Sequence, residues 1–117
     1  MTEKRFDVAE RRAALQSLLA LDQPIAELQS VIGEMGWYNE ELVTLANGHV
    51  TGALKRFLAD EIDAQTVAVW AELIEMRDDI DMPDQEAVDA IFVLANPLLN
   101  GTLDRKLATE LMAELSG

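Results

Sequence analysis

Carboxylates offer the most chemistry in this sequence, and their spacing decides what they can do. Glu72, Glu75 and Asp79 follow one another at intervals of three and four, which on a helix places them in one stripe. Stacked carboxylates hold metals in di-metal bundles when each Glu is followed three residues on by a His. No Glu in this chain has that partner, so the stripe is read as facing solvent, opposite Trp70 and Ile74. The run Asp78, Asp79, Asp81, Asp84 and Glu86 invites a calcium loop. It fails the helix-loop-helix pattern, because Pro83 and Asp84 fall where a ligand and a glycine belong. Neither a metal nor an organic cofactor is expected.

Nucleophilic catalysis finds no footing either. A triad needs a base beside its nucleophile and a group to orient that base. The single histidine, His49, follows Asn47–Gly48 on the margin of an apolar face, and no serine sits in a strained glycine turn. His49 reads as a partly exposed helix residue; its functional alternative is a pH-sensitive contact at an interface. With no cysteine in the chain, disulfides, thiolate metal sites and cysteine nucleophiles are excluded. The chain is expected not to be an enzyme.

Charge carries the functional reading instead. The formal net charge is −13, unevenly spread: +1 over residues 1–20, −4 over 21–60, −9 over 61–90 and −1 over 91–117. Affinity for a phosphate backbone comes from Lys and Arg releasing counterions, so direct nucleic-acid binding is not expected. An acidic face suits a basic protein partner, and Glu72, Glu75, Asp79, Asp81 and Asp84 are its candidate residues. The alternative is a structural or interaction module, a homodimer through an apolar helix face included, whose acidity serves only solubility. Trp37–Tyr38, just after Gly36, is the most site-like aromatic pair. Such residues anchor interfaces, although capping a core is their commoner task. Arg77 is the one base among residues 61–90, and helical spacing puts it near Trp70, Leu73 and Ile74. A guanidinium there needs a carboxylate partner. Asp78 or Asp79 would supply it, in a bridge that locks the helix end to the following loop.

The elements that must position these residues are helices. Half of the 117 residues are hydrophobic and only 5% aromatic, a composition rich in good helix formers. The expected fold is all-α, a compact bundle of five or six short helices with no sheet, in one domain. Residues 1–38 form a helical hairpin packed on a core of residues 39–117. Asp7 and Glu10 have capping-box spacing, and a helix follows to about Leu21 with Leu15, Leu18 and Leu19 on one side. Asp22 caps a second helix carrying Pro24 in its first turn, with Ile25, Leu28, Ile32 and Met35 on its face and Gly36 as terminator. The third begins near Asn39 or near Thr44 and presents Val43, Ala46, Val50, Leu54 and Phe57.

Asp63 caps the fourth helix, where Val67, Trp70, Leu73, Ile74 and Arg77 share a side. Pro83 marks a turn, and a fifth helix from about Asp84 to Ala95 buries Val88, Ile91, Phe92 and Ala95. Asn96–Pro97 stops it, since the residue before proline is pushed out of the helical region. Asn100–Gly101 is a turn, and the last helix, from near Asp104, uses Leu107, Ala108, Leu111 and Leu115. The charged N-terminal stretch does not read as a signal peptide, and no run nears the ~20 apolar residues of a membrane span. A cytoplasmic protein is expected.

From Val43 to Leu115 the chain resembles small bacterial all-helical proteins of unassigned function. The resemblance is carried by Trp70–Ala71, Glu75, Arg77–Asp78–Asp79–Ile80 and Leu94–Ala95–Asn96–Pro97, within WAELIEMRDDI and LANPLLNG. Some similar small acidic helical proteins are immunity partners of secreted toxins. The resemblance thus implies a shared helical fold more than a shared chemistry, with an immunity-like partnership. Trp70, Arg77, Asp78, Asn96 and Pro97 are read from their helix-end and turn positions as structural.

Overall fold

The fold begins where a side chain replaces a missing backbone partner. In the computed structural model, which describes residues 7–36 and 40–116, the Asp7 carboxylate accepts from the Glu10 N–H at 2.7 Å. The Asp7 N–H donates back to Glu10 Oε1 at 3.2 Å. This reciprocal cap satisfies two donors that a helix N-terminus otherwise leaves open, and it starts α1 (Val8–Ala20). Leu15, Leu18 and Leu19 form its buried face. The helix closes through Leu21, whose backbone is left-handed at φ 50. There the Leu21 N–H donates to Leu18 O and the Asp22 N–H to Ser17 O. Asp22 therefore ends α1 rather than capping α2. The second helix, α2 (Ile25–Met35), starts from Pro24 with no side-chain cap and stops at Gly36, φ 68.

Residues 42–45 do not join the third helix, because their backbone has a better partner. The Leu42 N–H donates to Asp79 O at 2.9 Å and the Leu45 N–H to Asp81 O at 2.8 Å. The result is a parallel pair of two-residue strands, β1 (Val43–Thr44) and β2 (Ile80–Asp81), in register Val43↔Ile80 and Thr44↔Asp81. This corrects the expectation of no sheet. It also moves the start of α3 (Asn47–Leu58) past both candidate positions. Its first turn is closed by His49, whose Nδ1 accepts from the Ala46 N–H at 2.9 Å.

The remaining elements are α4 (Ala64–Glu75), α5 (Gln85–Ala95), the single turn α6 (Pro97–Asn100) and α7 (Arg105–Ser116). Counting α6, the described residues hold one more helix than the largest expected number. Asp63 caps α4 by accepting from the Thr66 N–H at 2.8 Å, and Asp104 caps α7 through the Leu107 N–H at 2.8 Å.

One continuous core joins these elements, with leucines from α1, α3 and α7 meeting Val67, Trp70, Ala71 and Ile74 of α4 and the alanine-rich face of α5. Ala71 on α4 and Ala87 and Ala90 on α5 are buried, so these helices approach closely. That packing turns α5 away from the expected face. Ala87, Ala90, Ile91, Leu94 and Ala95 go inward, while Val88 is half-buried and Phe92 is 50% exposed. Trp70 is wholly buried, and its Nε1–H donates to Leu18 O at 2.6 Å, tying α4 to α1. No helix among the described residues is long and apolar enough to cross a membrane.

Candidate partner-binding surface

The candidate acidic residues part company once α4 ends at Glu75. Glu72 and Glu75 lie on its exposed face, and Asp84 is exposed at the start of α5. Asp81 is half-buried in β2. Asp79 is fully buried, which corrects its place on the solvent-facing stripe. The helix stops before Asp79, so the three-and-four spacing no longer applies there.

Its carboxylate is paired instead with Arg77: Nε donates to Oδ1 at 2.9 Å and Nη2 to Oδ2 at 2.8 Å. The same Nη2 donates to Gly36 O at 2.8 Å, at the end of α2. A fork-shaped guanidinium fits a carboxylate in this bidentate way, and the Asp79 carbonyl in turn receives the β1 strand. Arg77 and Asp79 thus join α2, β1 and β2. Asp78, between them, is exposed.

The other described arginines are placed similarly. Arg11 donates to Met35 O at 2.9 Å, Arg12 to Leu42 O at 3.2 Å and Arg105 to Leu58 O at 2.8 Å. Arg56 donates to Leu21 O. Helix C-termini leave carbonyls without intrahelical partners and carry negative partial charge, so a guanidinium there is well placed twice over. Every described arginine is therefore tied to a main-chain carbonyl. By contrast, every described carboxylate except Asp79 and Asp81 is exposed. The described arginines are tied to helix and strand ends, Lys55 and Lys106 are exposed, and nearly all the described carboxylates face outward.

Asn96 and Pro97 do more than end α5. Asn96 Nδ2 donates to Phe92 O at 2.7 Å and reaches Glu75 Oε2 at 3.5 Å. The Asn96 carbonyl accepts from the Leu99 and Asn100 N–H groups, both at 3.0 Å. With Pro97 in the first turn and Gly101 at φ 88 after it, α6 is held to four residues. Too short to turn its face inward, it leaves Leu98 100% and Leu99 76% exposed.

These leucines border an open groove of about 620 Å³ between α4, α5 and the connection from α6 to α7. Its walls include Ala64, Val67, Ala68, Val93, Leu94 and Leu103, and Glu72 also lines it. Sequence reasoning missed this groove. The signal was present in LANPLLNG: two adjacent leucines fenced by Asn–Pro and Asn–Gly have no turn long enough to bury both.

Trp37 and Tyr38 lie outside the described residues. His49 is half-buried in the first turn of α3, and burial lowers its pKa from the ordinary value. The neutral ring fits that position, since Nδ1 must accept. Among the described residues no group of three His, Cys, Asp or Glu is arranged to hold a metal ion. Comparison with protein-family models, with curated proteins and with solved structures finds no match.

Proposed function

We propose that this chain is a non-enzymatic binding protein whose acidic surface engages a basic protein, in the manner of an immunity protein that neutralises a toxin. The observation that carries this reading is the segregation of charge just described: arginines tied to carbonyls, carboxylates turned outward. Such a surface attracts a cationic partner before contact, and opposed charge raises association rates and selects partners. Of its candidate residues, Glu72 lines the groove, Glu75 follows it on the same exposed face of α4, Asp81 lies in β2 and Asp84 at the start of α5.

The test is capture of partners from the native cells at low and at high salt, followed by stopped-flow association with the protein recovered. A basic partner is expected, with an on-rate that falls steeply as salt screens the attraction. A partner set holding no basic protein would count against the reading.

A second reading, a small structural module that pairs with its own copy, is favoured by the exposed Leu98 and Leu99. Its mark would be a concentration-dependent dimer in sedimentation equilibrium.

A further inference from the structure

We infer that the groove between α4, α5 and the α6–α7 connection is the docking site for an amphipathic basic helix of the partner. This rests on the reading above that the partner is basic, and it assigns where and by what contacts the partner is held.

Leu98 and Leu99 stand almost wholly in solvent. Exposing large aliphatic side chains forgoes the gain of taking their surface out of water. Scattered single leucines on a surface need no explanation, but adjacent ones bordering an apolar channel are a different matter. Alanines at 64 and 68 keep one wall low, so the channel is open along α4. Along α4 the groove is lined from Ala64 to Glu72, about 13 Å of helix. Two to three turns of a partner helix match it, with apolar anchors at the positions i, i+3, i+4 and i+7 that such grooves read.

Charge decides between occupants. Of the groove's lining residues the charged one is Glu72, and Glu75 stands one turn further on the same exposed face, beside Asn96. A second copy of this chain would bring the same glutamates and another net charge of −13, which opposes self-docking. A helix with leucines or isoleucines on one face and lysines or arginines flanking them satisfies both the walls and the glutamates.

The experiment uses two synthetic peptides of identical leucine and lysine composition. In one, the leucines form a single helical face; in the other, they are scattered around the helix. Binding to the full chain is followed by fluorescence anisotropy. The amphipathic peptide is expected to bind at least about tenfold more tightly than the scattered one, and Leu98→Ser/Leu99→Ser to remove at least about tenfold of that affinity. Both leucines are exposed, so this variant is expected to keep the parent melting temperature. Glu72→Gln/Glu75→Gln is expected to weaken binding several-fold and flatten its salt dependence.

If the leucine variant binds the amphipathic peptide as tightly as the parent, the groove is not the site, while the acidic-surface reading stands. Failure of both peptides to bind at low salt overturns that reading as well. A parent dimer that the leucine variant turns into a monomer would assign the groove to a second copy and overturn the inference.

Discussion

Arg77 grips Asp79 through two parallel hydrogen bonds, with the guanidinium side chain 9% exposed and the carboxylate wholly buried. Removing one partner of a buried pair strands the other charge, which costs about 3–5 kcal/mol. Arg77→Met is therefore expected to lower the denaturant midpoint substantially, and it also frees Gly36 O. Lysine cannot reproduce the fork, so Arg77→Lys should recover only part of the loss. Since apolar replacement of both members of a buried pair is often neutral, Arg77→Met/Asp79→Leu should be less destabilised than Arg77→Met. A double variant whose losses simply add would show that the two side chains act independently.

Trp70 yields a prediction of smaller size. Its Nε1–H donates to Leu18 O, but that carbonyl also accepts from the Leu21 N–H. Trp70→Phe thus leaves Leu18 O with a partner, and its cost should stay near that of one hydrogen bond, about 1 kcal/mol, plus the lost ring volume. Trp70→Ala opens a cavity and should cost about 3–5 kcal/mol. Chemical denaturation of both variants separates the bond from the packing.

Leu21 and Asp60 share a left-handed backbone, at φ 50 and φ 61, and should answer glycine in opposite ways. Each closes a helix, α1 and α3, and a left-handed residue with a Cβ is strained by roughly 1–2 kcal/mol, less for Asp. Asp60 is exposed and places a carboxylate at a helix C-terminus, where the dipole disfavours it. Asp60→Gly is expected to raise stability by up to about 1 kcal/mol. Leu21 is only 2% exposed, so Leu21→Gly loses more in burial than it gains in backbone relief and should be destabilising. Melting curves of the two variants that shifted in the same direction would contradict this.

Much of the helical architecture is legible in the sequence because its rules are local. Asp7 with Glu10, and Asp63 or Asp104 with the N–H three residues on, are caps set by a few neighbouring side chains. The strand pair is not local: Val43 and Ile80 meet from distant parts of the chain, and two residues show no alternation to read. The place of Asp79 is hidden for a related reason. Its spacing from Glu75 implies a helix, yet the helix has already ended, and only the Arg77 partnership makes burial of a carboxylate tolerable. Arg77 could be placed beside the apolar face by periodicity, with its partner narrowed to two neighbouring aspartates. Phe92, Leu98 and Leu99 went unread as surface because apolar residues are assigned inward by default, and the competing alanines of α5 look too small to claim the core. The groove is legible only once those alanines are seen to pack.

His49 provides a pH test with a definite sign. Its Nδ1 accepts from the Ala46 N–H at 2.9 Å, so the ring caps α3 only when that nitrogen is unprotonated. The proton of the neutral ring then belongs on Nε2. Burial lowers the pKa in the folded state, and a cation in the first turn would also oppose the helix dipole. The unfolded chain, with an ordinary histidine pKa of about 6.5, therefore binds the proton more readily than the folded one. The contribution of His49 is fully present above that unfolded value and is lost as pH falls through the window down to the folded pKa, below which it levels off. Asp63 has its pKa depressed by the Thr66 hydroxyl and N–H, so its support for α4 fades only in stronger acid. His49→Gln keeps an acceptor at the same capping position without titrating near neutrality. The difference in unfolding free energy between the parent and His49→Gln should shift against the parent as pH falls from 7.5 towards about 5. A difference that stays constant over that interval would show that the ring's protonation does not govern the cap.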